Sequence, residues 1–128
     1  MKGGRADLRI RPRIRVLKGD IVVLGPGKAD LLDAIRRFGS IRDAAKALGM
    51  SYMRAWKLIR TMNREFREPV VTTLRGGSRH GGTVLTETGK VVFSLYREME
   101  GASLKAILPG WRRLSRRIRP HTPGGGAP

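Results

Sequence analysis

Residues 44–56, AAKALGMSYMRAW, predict two helices joined by a sharp corner. The small side chains of Ala44 and Ala45 allow a second helix to cross closely over the first. Gly49 ends the first helix, because the residue after a helix often adopts a left-handed conformation that glycine tolerates best. Ser51 follows two residues later, and serine is a preferred N-cap. Two helices joined by a short, glycine-containing turn are typical of a helix-turn-helix unit.

Neighbouring patterns extend this unit to three helices. Apolar residues at spacings of three and four predict helix 1 over residues 29–38, which Gly39 closes. Helix 2 is expected over residues 41–48, with Ser40 as its N-cap. Helix 3 is expected over residues 51–66, because the apolar spacing continues to that point.

Two β-hairpins are also expected. Residues 8–16 alternate between apolar and arginine side chains, which predicts a strand, and Pro12 places that strand at a sheet edge. A turn leads to a second strand over residues 21–24, which completes an amino-terminal hairpin. Its arginine face is either a DNA contact or only a solvated outer face. Two further β-rich runs, residues 70–75 and 83–86, flank a glycine-rich loop and predict a second hairpin, the wing.

Helix 4 is predicted to begin after its cap Thr86 and to run to about residue 99. Its apolar residues cover roughly 200° of the helix circumference, more than one core-facing stripe needs. Beyond it, a rough helical pattern is predicted to break at Pro109 and Gly110. A second copy of the chain is therefore expected to pack on helix 4 through Val91, Val92, Leu95, Tyr96 and Met99.

These elements divide the sequence into three parts. A flexible lead is expected over residues 1–7, a winged helix-turn-helix domain over residues 8–99, and a basic tail ending in proline and glycine over residues 100–128. The predicted fold class is mainly α with small β-hairpins: a winged helix-turn-helix with an amino-terminal hairpin and a long carboxy-terminal dimerisation helix.

The charge of the chain indicates its class of partner. There are 27 lysines and arginines against 10 acidic residues, a formal net charge of +17. Such an imbalance favours a polyanion, with nucleic acid first and an anionic membrane surface second. The membrane alternative would use residues 101–119 as a basic amphipathic segment. Because there is no cysteine and no signal-peptide apolar core, a soluble intracellular protein is expected.

No enzyme, metal or cofactor is expected from these residues. Two histidines, no cysteine and dispersed acidic residues offer no nucleophile–base pair and no metal cluster. Asp30 and Asp33 are interpreted as ordinary acidic residues near a helix start. The GPGK segment that ends at Lys28 departs from the phosphate-loop pattern and is interpreted as a turn.

Long cations line the side of helix 3 opposite its apolar residues. The amino-terminal end of such a helix enters the DNA major groove most deeply, so base contacts are expected from Ser51, Tyr52, Met53, Arg54 and Lys57. Phosphate contacts are expected from Arg60, Thr61 and Arg64. The wing would add Arg75, Arg79 and His80. A basic face can also be merely solvated, wing residues can merely decorate a mobile tip, and Trp56 is interpreted as a packing residue at the core edge.

Spaced motifs add a family resemblance. GSIRDAAKALGMSYMRAW, MNREFREP and LTETG occur in this order between residues 39 and 89. This set resembles the amino-terminal DNA-binding domain of the molybdate-responsive ModE family of transcription regulators, a winged helix-turn-helix related to the LysR type. The resemblance covers residues 8–99. It implies a homodimer that contacts DNA through the SYMRAWK segment and the wing.

Two departures from the ModE pattern qualify what the resemblance implies. The family commonly has a basic residue at the position of Met53, so the base preference is expected to differ. The family's molybdate-binding domains follow the DNA-binding domain, whereas a short basic tail follows here, so molybdate sensing is not expected to carry over.

The sequence thus predicts a dimeric, sequence-specific transcription regulator that binds double-stranded DNA in the cytoplasm, at the nucleoid. The alternative is a protein that coats nucleoid DNA without sequence preference, which the net charge of +17 also favours.

Overall fold

A computed structural model describes residues 8–74 and 82–120. These residues form four helices and two antiparallel two-stranded sheets, one of β1 with β2 and one of β3 with β4. The architecture is a winged helix-turn-helix, so the predicted fold class is confirmed. In chain order the elements are β1 (Val16–Lys18), β2 (Ile21–Leu24), α1 (Pro26–Phe38), α2 (Ile41–Ala47), α3 (Tyr52–Glu65), β3 (Val71–Thr73), β4 (Thr83–Leu85) and α4 (Glu87–Ser115).

The described residues divide into two compact units. The first runs from Arg13 to Met99 and contains every element up to the first part of α4. The second unites residues 8–12 with residues 100–120. The core and the candidate site lie in the first unit, which is referred to below as the 13–99 unit.

The corner between α2 and α3 has the local structure that the sequence predicts. The Ser40 hydroxyl accepts a hydrogen bond from the backbone N–H of Asp43, and the Ser51 hydroxyl accepts one from Arg54, each at 3.0 Å. Both serines therefore cap their helices. Gly49 adopts a φ of +67° at the exit of α2, a conformation that a residue with a Cβ reaches only with strain. Gly49 and Ser51 consequently specify the corner, and Ser40 specifies the start of α2.

The core of the 13–99 unit fills the space between the helices. Apolar side chains of α1 pack against Ala44 and Ala45 of α2. These two alanines are buried, and their small side chains let α3 approach closely. Val70, Leu85 and Tyr96 close the core from the wing and α4. The buried residues of the three helices in this cluster are Ala29, Leu31, Leu32, Ala34, Ile35, Ile41, Ala44, Ala45, Ala55, Ile59 and Met62.

Asn63 joins α3 to the wing. Its Oδ1 accepts hydrogen bonds from the backbone N–H groups of Val70 at 2.8 Å and Val71 at 3.2 Å. Its Nδ2 donates to the Val71 carbonyl at 3.1 Å. One side chain thus satisfies three partly buried backbone groups at the start of β3.

The first turn of α4 packs against the segment before β3. The Thr86 hydroxyl donates to the Pro69 carbonyl at 2.7 Å and accepts from the Gly89 N–H at 2.9 Å, so Thr86 caps α4 as predicted. A Cβ placed on Gly89 would lie only 2.0 Å from the carbonyl oxygen of Val70. The helix can therefore approach this backbone only because residue 89 is glycine.

The strand predicted over residues 8–16 is wrong except at its end. Only Val16–Lys18 pairs with β2, with Val16 opposite Leu24 and Lys18 opposite Ile21. Because α1 begins at Pro26, β2 ends too early to offer hydrogen-bond partners to residues 8–15. The alternating sequence does, however, match an alternation in solvent exposure. The apolar and proline side chains at even positions from 8 to 14 are half-buried, and the arginines between them are exposed.

The break predicted at Pro109 is also wrong. α4 continues through it to Ser115. A proline inside a helix removes one N–H and one hydrogen bond, but it does not stop a helix whose flanking residues are good helix formers. Leu104, Lys105, Ala106 and Leu108 before Pro109, and Arg112, Arg113 and Leu114 after it, supply that tendency in spite of Gly110. No helix among residues 8–74 and 82–120 combines the length and the apolarity needed to cross a bilayer.

Candidate nucleic-acid interface

α3 has two chemically opposite sides. Ala55, Ile59 and Met62 are buried against α1 and α2. The opposite side is open to solvent, and this surface is called the α3 face below. The residues of the α3 face are Tyr52, Met53, Arg54, Lys57 and Arg60, all of them exposed. The arrangement follows from the 3.6-residue period of the helix, and it exposes long cationic side chains on the surface that would enter a DNA groove.

The cations of the α3 face are not neutralised by any carboxylate that the structure describes. Among the described residues, no carboxylate lies within 4.0 Å of a side-chain nitrogen of Arg54, Lys57 or Arg60. Farther along the helix, Arg64 differs, because its Nε donates to Glu65 Oε2 at 3.0 Å. Hydrogen bonds from Lys18 and from Arg64 hold the pKa of Glu65 below its usual value. Three adjacent cations are thus available to an external anion.

Two predicted contact residues are engaged with their own helix. The Ser51 oxygen accepts from Arg54 as the N-cap. The Thr61 hydroxyl donates to the Lys57 carbonyl at 3.1 Å, and Thr61 is half-buried. Ser51 therefore fixes the start of α3, and the hydroxyl groups of both residues are engaged within the helix.

Lys28 belongs near this surface, although the sequence suggested only a turn. It lies in the first turn of α1, where burial lowers its pKa and the positive charge of Arg54 lowers it further. The proximity of two like charges is unfavourable unless an anion joins them. No sequence spacing could reveal this pair, because its members are on different helices.

An open hollow lies in the α3 face. It is lined by Tyr52, Met53, Trp56, Lys57 and Arg60. Trp56 is half-buried and packs against the core, and its Nε1 donates to the Tyr52 hydroxyl at 2.9 Å. The indole is therefore both a packing residue and a wall of the hollow.

The base of the wing is anchored to α1. β3 and β4 pair from Val71 opposite Leu85 to Thr73 opposite Thr83, and the Thr83 N–H donates to the Gly39 carbonyl at 2.9 Å. The predicted wing contacts Arg75, Arg79 and His80 lie outside the described residues.

The predicted dimerisation residues of α4 separate into two groups. Tyr96 is fully buried and its hydroxyl donates to the Ile14 carbonyl at 2.6 Å, so it cannot reach a second chain. Val92 is half-buried against the core. The α4 ridge, by contrast, consists of Val91, Leu95 and Met99, which are 56%, 52% and 44% exposed. Helix periodicity could not show that the upstream segment at Ile14 covers part of this helix.

Comparison with known proteins agrees with this geometry. Residues 28–90 match the family of bacterial regulatory helix-turn-helix proteins of the LysR type. The match extends from the start of α1 through the corner and the wing into α4. Residues 28–90 form a LysR-type helix-turn-helix domain.

In addition to this family match, the chain is similar to ModE regulators, as its sequence motifs predict. The molybdenum transport protein ModE of Azotobacter vinelandii is 43% identical over 94 residues, which are 73% of this chain and 33% of that protein. The molybdenum-pterin-binding protein MopB of Rhodobacter capsulatus is 39% identical over 106 residues, 83% of this chain and 39% of MopB.

A third relative is described as a DNA-binding regulator. The DNA-binding transcriptional dual regulator ModE of Escherichia coli is 39% identical over 82 residues, 64% of this chain and 31% of that protein. The chain therefore spans about a third of the length of these curated relatives. Within its described residues, no group of three or more histidine, cysteine or acidic side chains could hold a metal ion.

Proposed function

We propose that this chain is a dimeric, sequence-specific DNA-binding transcription regulator that places α3 in the major groove. The observation that carries the proposal is the unneutralised α3 face at the second helix of a LysR-type helix-turn-helix domain. Arginine and lysine on such a helix donate to guanine O6 and N7 or to phosphates.

Removing one cation from the α3 face should weaken specific binding. We expect Lys57→Ala or Arg54→Ala to raise the Kd for a selected operator about tenfold, because one good base contact is worth roughly 1–3 kcal/mol. Arg37→Ala is the matched control: it also removes one positive charge, from an exposed arginine whose partner is Asp33. Mobility-shift titrations at several salt concentrations measure both affinity and salt slope. Equal losses in all three variants would show that only net charge matters.

Non-specific coating of nucleoid DNA is the second candidate, because a net charge of +17 attracts any duplex. The two functions predict different results when random duplex competes with the operator for the protein. A sequence-specific regulator retains its operator in the presence of excess random duplex, whereas a coating protein is displaced in proportion to competitor length. Selection from a random pool followed by this competition separates them.

We infer that the α4 ridge is the contact between two copies. Val91, Leu95 and Met99 are spaced by four residues, so they form one apolar row along the helix. Two such rows can pack against each other about a two-fold axis, which would set two α3 helices on half-sites about one helical turn apart.

A charge in the α4 ridge should prevent this pairing. We expect Leu95→Glu to make the protein monomeric, because a buried, unpaired carboxylate is strongly unfavourable at an apolar contact. Ser94→Glu places the same charge at the neighbouring exposed position and should leave the dimer intact. Sedimentation velocity measures the outcome. A Leu95→Glu protein with unchanged mass in solution would move the interface elsewhere.

A further inference from the structure

The hollow in the α3 face has an unusual composition for its position. Met53 is 62% exposed and Tyr52 is 48% exposed, and both lie beside Lys57 and Arg60. The volume of the hollow, about 510 Å³, far exceeds the roughly 30 Å³ that a water molecule occupies in the liquid. An apolar recess beside these cationic side chains suits an occupant that is apolar at one point and anionic around it.

Two walls of the hollow, Tyr52 and Trp56, are joined by a hydrogen bond. Tyr52 and Trp56 are four residues apart, so they lie on adjacent turns of α3. The hydrogen bond from the indole N–H to the Tyr52 oxygen, 2.9 Å long, joins the exposed ring to a residue packed against the core. The phenol keeps its own proton to donate. Met53 is the unbranched, adaptable wall of the recess.

Major-groove chemistry offers one group that meets this description. Of the four bases, thymine alone presents an apolar group in that groove, its 5-methyl, and thymine O4 beside it accepts hydrogen bonds. The phosphates on either side supply the anionic surroundings for Lys57 and Arg60. The attraction between these cations and the phosphates thus brings the recess onto the duplex, where the methyl group can pack against its apolar side chains.

The geometry points to Met53 and Tyr52 as the residues that receive a thymine 5-methyl group and make thymine preferred at one position of each half-site. This inference rests on the proposed function and deepens it, because it names a base and the side chains that read it. Arg54, Lys57 and Arg60 supply guanine and phosphate contacts in this arrangement, and Met53 and Tyr52 supply the preference for thymine at one position.

Uracil substitution tests the inference directly. An operator is first selected from a random duplex pool with the full chain, and its thymines are then replaced by uracil one at a time, which removes only the methyl group. We expect the Kd to rise about 3- to 10-fold at one position of each half-site, the effect of one buried methyl group. Other thymines should tolerate the exchange within twofold.

Matched variants assign the effect to the recess. Met53→Ala should bind thymine and uracil operators within twofold of each other, and because Met53 is exposed, circular dichroism should show an unchanged fold. Lys57→Ala should bind more weakly but keep the discrimination.

The outcomes distinguish this inference from the proposed function. A selected operator that tolerates uracil everywhere, or a Met53→Ala protein that still discriminates, overturns the inference alone. A selection that yields no preferred sequence overturns the proposed function and the inference with it.

Discussion

Gly89→Ala is expected to unfold much of the domain at temperatures where the natural protein is stable. The added Cβ would meet the Val70 carbonyl oxygen at 2.0 Å, its carbon at 2.9 Å and the Val70 Cα at 3.2 Å. All three atoms are backbone, held by hydrogen bonds to Asn63 and to Thr86, so they cannot rotate away. Overpacking of this kind costs about 3 kcal/mol or more. At roughly 4–8 °C per kcal/mol, Tm should fall by about 12 °C or more.

The control for this substitution is on the same helix. Gly101→Ala makes the same chemical change, but a Cβ there meets nothing within 4 Å. Because alanine is the better helix former by about 1 kcal/mol, Gly101→Ala should raise stability or leave it unchanged. Thermal unfolding followed by circular dichroism compares the two. Similar Tm values for both variants would mean that α4 does not approach Val70 as closely as described.

Asn63→Ala should be the second most damaging change. It removes the partner of the Val70 N–H, the Val71 N–H and the Val71 carbonyl, three partly buried backbone groups. With a net 0.5–1.5 kcal/mol for each hydrogen bond, the expected loss is about 2–4 kcal/mol. Urea unfolding monitored by tryptophan fluorescence gives this value, because Trp56 lies on the same helix.

Two further variants make the Asn63 result specific. Asn63→Asp keeps the oxygen that accepts from Val70 and Val71 but loses the donor to the Val71 carbonyl, so an intermediate loss is expected. Arg60→Ala, at an exposed position of α3, should change stability by less than about 0.5 kcal/mol. If Asn63→Ala were no more destabilising than Arg60→Ala, the wing would not depend on this side chain.

The elements that the sequence predicts well are those with local causes. Ser40 and Ser51 cap α2 and α3, Thr86 caps α4, and Gly49 takes a positive φ at the corner. Each depends on residues within a few positions of one another, so spacing alone reveals them. The division of α3 into a buried and a cationic side follows in the same way, because it needs only the helical period.

The features that the sequence does not reveal depend on distant parts of the chain. The alternation describes burial correctly over residues 8–14 but cannot show that β2 is too short to pair with this segment. Tyr96 belongs to the same apolar band as Leu95 in the sequence. In the structure Tyr96 is buried and bonds the carbonyl of Ile14, 82 residues away in sequence, whereas Leu95 is exposed. Asn63 and Gly89 look unremarkable in the sequence because the backbone that they contact comes from other segments.

The contact between Tyr96 and Ile14 has an evolutionary consequence. A 2.6 Å hydrogen bond brings the residue after Arg13 against the helix that ends the unit near Met99. The polypeptide thus enters and leaves the 13–99 unit at one place, as in domains that accept fusion and transplantation. A unit whose two ends meet in this way can be joined to other segments at a single site.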